Sequence, residues 1–396
     1  MEVKQIKLGI IGMGNMGSGH FRNVMRGKCP SVKITAIADI NPEKLKIAEE
    51  YSAIAVFDDA EKLFNSGLVD SVLIAVPHYD HPVIAIKAFK HGINVITEKP
   101  AGVYTRQVRE MNEAAKNSGM KFGIMFNQRT NPLYAKAREI VQSGQLGETK
   151  RLVWIITNWY RTQAYYDSGS WRATWKGEGG GVLLNQAPHN LDLWQWIFGV
   201  PSKIRAFCGF GKYHKIGVED DVTIYGEYDN GATATFISTT GEAPGTNRLE
   251  ISGDKGKLVI EDGKLKWWKL AVPEREFCFT AKEGFVSPQT TYEEFSEQAP
   301  EGHPQVLEAF AQSVLNGTKM IADGTEGINS LSISNAAYLS AWTDDWVKLP
   351  VNEKEFEEYL EKQVIVEKDK NKEKKNSENK EVENPEQLKE RWKVRW

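Results

Sequence analysis

The chain has 396 residues, 41% hydrophobic and 26% charged, long enough for two or three domains with their own cores and too apolar for general disorder. Lys+Arg 50 against Asp+Glu 53 leaves a net charge of −3, no basic field for a polyanion, so nucleic acid is not expected as a partner. Cys29, Cys208 and Cys278 are too few and too scattered for a disulfide framework or a zinc cluster. They fit a reducing compartment, and with no apolar signal core and no apolar run of about 18 residues the expectation is a cytoplasmic protein without membrane contact.

The first 128 residues alternate short β-rich runs with helical patterns. A buried strand over 6–11 runs into Gly12-Met13-Gly14-Asn15-Met16-Gly17 and a helix to about residue 25. A strand over 33–37 ends at Asp39, and Asn41-Pro42 supplies an N-cap and first-turn proline for a helix to about residue 51. Residues 72–76 are continuously apolar, as in a parallel strand covered on both faces. His81-Pro82 opens a helix over 83–90 that Gly92 stops, and strands over 94–97 and 121–126 flank a helix over 105–117. Such β-α-β alternation predicts a Rossmann-type doubly wound parallel sheet, an α/β domain over 1–128.

From 129 to 350 the pattern changes to α+β. A helix over 133–142 and a strand over 150–158 lead into an aromatic-rich loop up to Gly181, and then a helix to about residue 198. Strands follow over 202–210, 222–228, 233–239 and 248–252, with Asp229-Asn230-Gly231 as a hairpin turn and further turns at 253–256 and 261–263. A helix over 325–346 closes this region, whose sheet is expected to be large, open and mostly antiparallel. Residues 351–396 form a charged extension: 18 of the last 30 residues are charged, so 367–383 is expected to be solvated and partly disordered. Beyond it, Asn384-Pro385-Glu386 with Leu388, Trp392 and Trp396 at helical spacing predicts a docking helix. Tryptophan is uneven as well: none precedes position 150, and six fall between Trp154 and Trp196.

The G-x-G-x-x-G run sits between a strand and a helix, where its mechanism requires it. Gly12 allows the tight turn, Gly14 lets backbone approach a pyrophosphate, and Gly17 lets helix and strand pack closely, with Asn15 and Met16 opening the helix that faces the phosphates. Asp39, 22 residues after Gly17, is placed to accept hydrogen bonds from an adenosine ribose diol. It would repel a 2′-phosphate by about 4 kcal/mol at ~4 Å and an effective dielectric near 20. No Arg or Lys in Ile40-Asn41-Pro42 offsets this, so NAD is expected rather than NADP.

Glu98-Lys99-Pro100 at a strand end, Pro77, His81, and Gly179-Gly180-Gly181 ahead of His189 together resemble the Gfo/Idh/MocA family over about residues 4–350. The resemblance implies NAD(P)-linked transfer of hydride to or from a hydroxyl of a sugar, glycoside or cyclitol, on a homodimer or homotetramer joined through the open sheet. It places Pro77, His81, Glu98 and Lys99 at the cofactor, Lys99 also at the reacting hydroxyl, and His189 as general base in oxidation and acid in reduction. The common family pattern has Asp four residues before the histidine; here that position is Asn185. If one helix carries Asn185, His189 and Asp192, they share a face, and Asn185 and Asp192 are then candidates for an orienting role, against a structural or substrate-binding role for Asp192. Sugar rings offer apolar faces and polar edges, so Trp159, Arg161, Trp171, Arg172, Trp175 and Arg129, with Asn185 and His189, are expected to line the cleft for a carbohydrate or polyol, and Trp154 and at least one of Trp194 and Trp196 to have packing roles. His78 and His81 lack a third ligand at metal spacing, so no metal is expected. Two alternatives stand beside this reading: a redox-neutral, NAD-dependent glycoside-cleaving enzyme, and a non-catalytic cofactor-sensing regulator.

Overall fold

The computed structural model describes residues 4–169 and 171–377, with side chains to residue 368. In the first domain the strands are β1 (Ile6–Ile11), β2 (Val32–Ala38), β3 (Ala55–Phe57), β4 (Ser71–Ile74), β5 (Asn94–Thr97) and β6 (Phe122–Ile124). They form one parallel sheet in the order β3-β2-β1-β4-β5-β6. Continuous apolar strands are needed because helices cover both faces. Val72 and Ile74 pack on one side of β4 and Leu73 on the other. The helices are α1 (Asn15–Met25), α2 (Pro42–Leu45), α3 (Ala60–Asn65), α4 (Asp80–Lys90) and α5 (Thr105–Ser118). The helix expected to run to residue 51 ends after one turn and continues as a 3-10 turn, Lys46–Ala48. The order reverses between β1 and β4, so the crevice outside their carboxyl ends is where a ligand fits.

The second domain is built on α6 (Pro132–Gln142), β7 (Thr149–Ile156), α7 (Gln163–Asp167), α8 (Pro188–Phe198), β8 (Lys203–Phe210), β9 (Glu219–Glu227), β10 (Thr233–Thr239), β11 (Asn247–Gly253), β12 (Gly256–Glu261), β13 (Lys264–Leu270), α9 (Glu274–Thr280) and β14 (Thr290–Phe295). With the short β15 (Val347–Lys348) these strands make a nine-stranded sheet, order β14-β13-β12-β11-β7-β10-β9-β8-β15. Neighbours run antiparallel except β7 and β10, which pair in parallel. Alternation sends Ile204 and Ala206 of β8 inward, while Phe207 stands 61% exposed on the open face. The turn at 253–256 joins β11 to β12 and that at 261–263 joins β12 to β13, two hairpin strands beyond the five expected in this domain.

The helices α10 (Gly302–Asn316), α11 (Gly327–Thr343) and α12 (Glu353–Ser377) complete the chain. Val306, Leu307, Phe310 and Ala311 of α10 return to the first domain and pack with Ile6, Leu8 and Ile10 of β1. Helix α11 is buried against α5, α8 and β8 and joins the two halves. Helix α12 runs on to Ser377, through the first part of the tract 367–383 expected to be solvated and partly disordered, and 378–383 lie outside the described residues. The expected docking helix over 384–396 lies outside the described residues. No helix among them is long and apolar enough to cross a membrane.

Candidate active site

Gly12 sits at φ +89°, and a Cβ on it would lie 2.5 Å from the Ala75 carbonyl oxygen. A Cβ on Gly17 would lie 1.8 Å from the Gly12 oxygen, so helix and turn can meet only through glycine. Gly14 differs: nothing lies within 4 Å of its would-be Cβ. The open space is outside the turn, at the start of α1, where Gly14 makes no side-chain cap and the first turn carries no acid. Exposed N–H groups there, with Asn15 and the 42% exposed Met16 leading the helix, suit an anion. Asp39 Oδ2 accepts from the Met13 N–H at 2.6 Å and Oδ1 from the Asn41 N–H at 2.8 Å. Two of its four acceptor positions are thereby used to brace the turn, which leaves two for a ribose diol. These features fit a bound NAD.

The carboxyl ends of β4 and β5 supply the next groups. Glu98 is buried with Oε1 2.6 Å from His20 Nε2, and its Oε2 accepts from the Lys99 N–H at 3.2 Å. Burial works against its charge, but His20 together with the smaller contributions of His303 and Lys99 brings the carboxyl down to about 2. Lys99 precedes Pro100 through a cis peptide. Its Nζ donates to the Asn185 carbonyl at 2.9 Å. Burial, helped by Arg172 and Arg161, lowers the ammonium pKa against the pull of Glu98 and Glu178. His81, expected at the cofactor, is buried in the first turn of α4. Its two ring nitrogens lie 2.8 Å from the Pro100 and Val76 carbonyls, so it ties together the loops that carry Pro77 and Lys99. The neighbouring His78 is buried too, its Nδ1 2.9 Å from the Glu178 carbonyl. Burial, with smaller contributions from His81, Lys99 and Arg172, lowers it to about 3.

His189 is the second residue of α8 and half-buried, and its Nδ1 is shielded from solvent without a hydrogen-bond partner. Burial, with the charges of Lys99 and His303, holds the imidazole well below its ordinary pKa. The expected shared face of Asn185, His189 and Asp192 does not form, because α8 starts at Pro188 and Asn185 lies in the preceding turn. Asp192 turns away from the cleft. Its carboxylate takes both Arg129 Nε and Nη2, at 2.8 and 2.7 Å, and Arg129 Nη1 reaches Glu326 at 2.5 Å. Arg129 is 4% exposed and belongs to this buried ion pair rather than to the cleft wall. The glycine run is shaped by Glu219, whose carboxylate accepts from the Gly181 and Leu183 N–H groups (2.9 and 2.8 Å) and from the Tyr338 hydroxyl at 2.7 Å.

The loop between β7 and α8 closes over Lys99. Arg172 Nη1 donates to the Tyr165 hydroxyl at 2.7 Å, with the Arg172 and Arg161 guanidinium carbons 4.5 and 5.1 Å from the Tyr165 ring centroid. Trp171, 36% exposed, meets His78 edge-on at 6.0 Å. Glu178 is buried, accepts from the Ala173 N–H at 2.6 Å and from Asn185 Nδ2, and is pushed toward its neutral form by that burial. Trp159 Nε1, Arg161 Nε, Arg172 Nε, Gln186 Oε1 and His189 Nδ1 are buried polar atoms without partners; Arg161, Arg172 and Gln186 gather at Tyr165 and Trp159 lies against Arg161. Trp175 is not part of it. It is 3% exposed, packs on Phe210, Tyr338 and Trp342, and donates from Nε1 to the Gly217 carbonyl at 2.9 Å. Trp154 and Trp194 fill the core against Phe236, and Trp196 lies under Arg129 and Arg138. The sequence reading missed His20, Tyr165 and Glu178. His20 lies one helical turn beyond Gly17, and Glu178 directly precedes the glycine run, so both had a positional signal; Tyr165 had none beyond the aromatic density of its loop.

Among the described residues no group of three or more His, Cys, Asp or Glu is arranged to hold a metal ion. Residues 6–126 match the oxidoreductase family with an NAD-binding Rossmann fold, and residues 134–259 match the GFO/IDH/MocA C-terminal domain. The chain is 23% identical over 341 residues to scyllo-inositol 2-dehydrogenase (NAD(+)) of Bacillus subtilis, covering 84% of this chain and 93% of that protein. It is 24% identical over 352 residues to myo-inositol 2-dehydrogenase of Thermotoga maritima, covering 87% and 98% respectively. The WlbA dehydrogenase of Bordetella pertussis, solved with NADH and UDP-GlcNAcA, shares the fold at a TM-score of 0.75 and 24% identity, covering 88% of this chain and 100% of that one. With the glycine turn, Asp39 and the Glu98-Lys99-Pro100 strand end in one crevice and both domains matched, the chain belongs to the Gfo/Idh/MocA family of NAD-binding oxidoreductases.

Proposed function

We propose that the protein is an NAD-dependent dehydrogenase that oxidises a ring hydroxyl of a sugar, glycoside or cyclitol, or reduces the matching ketone, with His189 and Lys99 as its catalytic residues. The observation that carries this reading is the half-buried His189, its Nδ1 unpartnered and its pKa depressed, beside a lysine that is itself destabilised as a cation. Bound NAD supplies the hydride acceptor. Oxidising a secondary alcohol also requires a base that is neutral before the reaction and a donor to the developing alkoxide. His189 meets the first need: burial keeps its imidazole unprotonated, ready to take the hydroxyl proton. Lys99 meets the second. The Asn185 carbonyl aims its ammonium with one N–H, which leaves two for the alcohol oxygen.

Trp171, 36% exposed, offers flat apolar surface to a ring, while the Arg161 and Arg172 guanidinium groups over Tyr165 supply donors for its hydroxyls. The similarity to inositol dehydrogenases favours the same substrate class. The open face of the nine-stranded sheet, with Phe207 and Tyr225 exposed, supports a homodimer or homotetramer. A panel of inositols, aldoses and glycosides with NAD+, followed by NADH absorbance, tests the reaction. Lys99→Ala and His189→Ala should still bind NADH and lose at least about 100-fold in turnover. Wild-type turnover in either variant overturns the assignment.

A further inference from the structure

The last described turns of α12 reach the substrate loop. Glu367 Oε1 accepts from the Trp175 N–H at 3.0 Å, and Oε2 from the Lys176 N–H at 3.1 Å. One carboxylate thus holds two consecutive backbone donors from a helix about 190 residues further along the chain. Those donors lie in a tight turn. Thr174 Oγ1 donates to the Trp171 carbonyl at 2.7 Å and accepts from the Gly177 N–H at 2.9 Å, and Ala173 sits at φ 51°. Inside the turn Glu178 holds the Ala173 N–H and Asn185 Nδ2, and the Asn185 carbonyl holds Lys99 Nζ. A continuous set of polar contacts therefore runs from Glu367 through the turn to the catalytic lysine.

We propose that Glu367 is a positioning residue of the active site: its carboxylate fixes the 173–178 turn and thereby places Arg172 and Trp171 against the substrate and Glu178 against Asn185. The proposal rests on the reading of this cleft as the substrate site. Glu367 lies outside both matched family domains, which end at residue 259. Helix α12 does not depend on it for attachment. Phe356 and Tyr359 stack on Trp342, Leu360 is buried, and Arg106–Glu357 and Arg109–Glu353 ion pairs bind the helix to α5. Removing the carboxylate therefore loosens the loop and leaves the helix docked.

Glu367→Ala and Glu367→Gln in the full chain are compared with wild type in three ways. Hydrogen exchange on peptides spanning 171–178 reads the contact without any substrate. In Glu367→Ala this exchange should quicken while the melting temperature holds. Steady-state kinetics on the best polyol of the panel should show kcat/KM for the polyol lowered about tenfold, with KM for NAD+ unchanged. Glu367→Gln, which keeps one acceptor oxygen, should fall between. Unchanged exchange in Glu367→Ala overturns the contact. Faster exchange with unchanged polyol kinetics, or an equal rise in both KM values with a lower melting temperature, overturns the positioning role in favour of a purely structural one. If wild type turns over no polyol, the substrate reading fails and the positioning role with it, while the exchange result still reports the contact itself.

Discussion

A neutral imidazole beside a lysine with weakened hold on its proton gives the site a definite pH response. The His189 pKa is depressed from 6.5, so the base form persists as pH falls through that value and is lost only at lower pH. The Lys99 pKa is depressed from 10.5, so its ammonium is lost before that value as pH rises. The kcat/KM profile for oxidation should therefore have its acid limb below 6.5 and its alkaline limb below 10.5; an acid limb at or above 6.5 would mean that another group is the base. Asp39 sets the second residue-level expectation. Asp39→Ser removes the charge that opposes a 2′-phosphate, and the preference for NAD+ over NADP+ in kcat/KM should drop by at least about tenfold, within the ~4 kcal/mol that such a repulsion can supply. The positions of Asp39 and Lys99 at strand ends and of His189 at a helix start were readable because short local patterns mark them. Arg129 and Trp175 were misassigned to the cleft because an arginine or tryptophan beside a cleft has the same sequence signature as one buried behind it. Only the placement of Asp192 and Glu326, and of Tyr338 and Trp342, decides between them.

The turn between β1 and α1 separates two roles that the glycine motif combines. A Cβ at Gly14 meets only open space, whereas one at Gly17 would collide with the Gly12 carbonyl. Gly14→Ala should leave the melting temperature near wild type and weaken NADH binding, as seen by fluorescence titration. Gly17→Ala should lower both, with about 1–3 kcal/mol lost from overpacking in chemical denaturation. An unchanged melting temperature in Gly17→Ala would contradict the close approach. Element boundaries were legible where caps marked them, as with the Asn41 side chain accepting from the Glu43 N–H ahead of Pro42. Pro188 carried such a signal as well. Proline favours the first helical turn, and α8 begins there, so Asn185 was never on the His189 helix. The two turns beyond β11 were visible, but the strands between them are short and mixed in polarity, and hairpin pairing with neighbours stabilises them more than their own pattern does.

Across the whole molecule, α10 shows that chain order and packing order differ. Phe310, 1% exposed, sits with Ile6, Leu8 and Ile10 under the cofactor sheet although about 300 residues separate them. Phe310→Ala should cost about 3–5 kcal/mol in urea unfolding, the usual range for emptying a buried aromatic site. It should also weaken NADH binding, since α10 backs β1 and its glycine turn; wild-type affinity in a destabilised variant would show that the turn holds its shape without α10.

The sequence by itself determined the parallel cofactor sheet, the glycine turn with Asp39, and the Glu98-Lys99-Pro100 strand end, because each is a local pattern of residue type and spacing that has one physical use. Only the tertiary structure decided which tryptophans and arginines face the cleft, how Asn185 meets Lys99 through its carbonyl rather than its side chain, and that α10 and α12 return to elements far behind them in the chain. Those outcomes depend on which surfaces are buried together and which donors meet which acceptors. Segments distant in sequence settle both, and a local pattern carries no record of that choice.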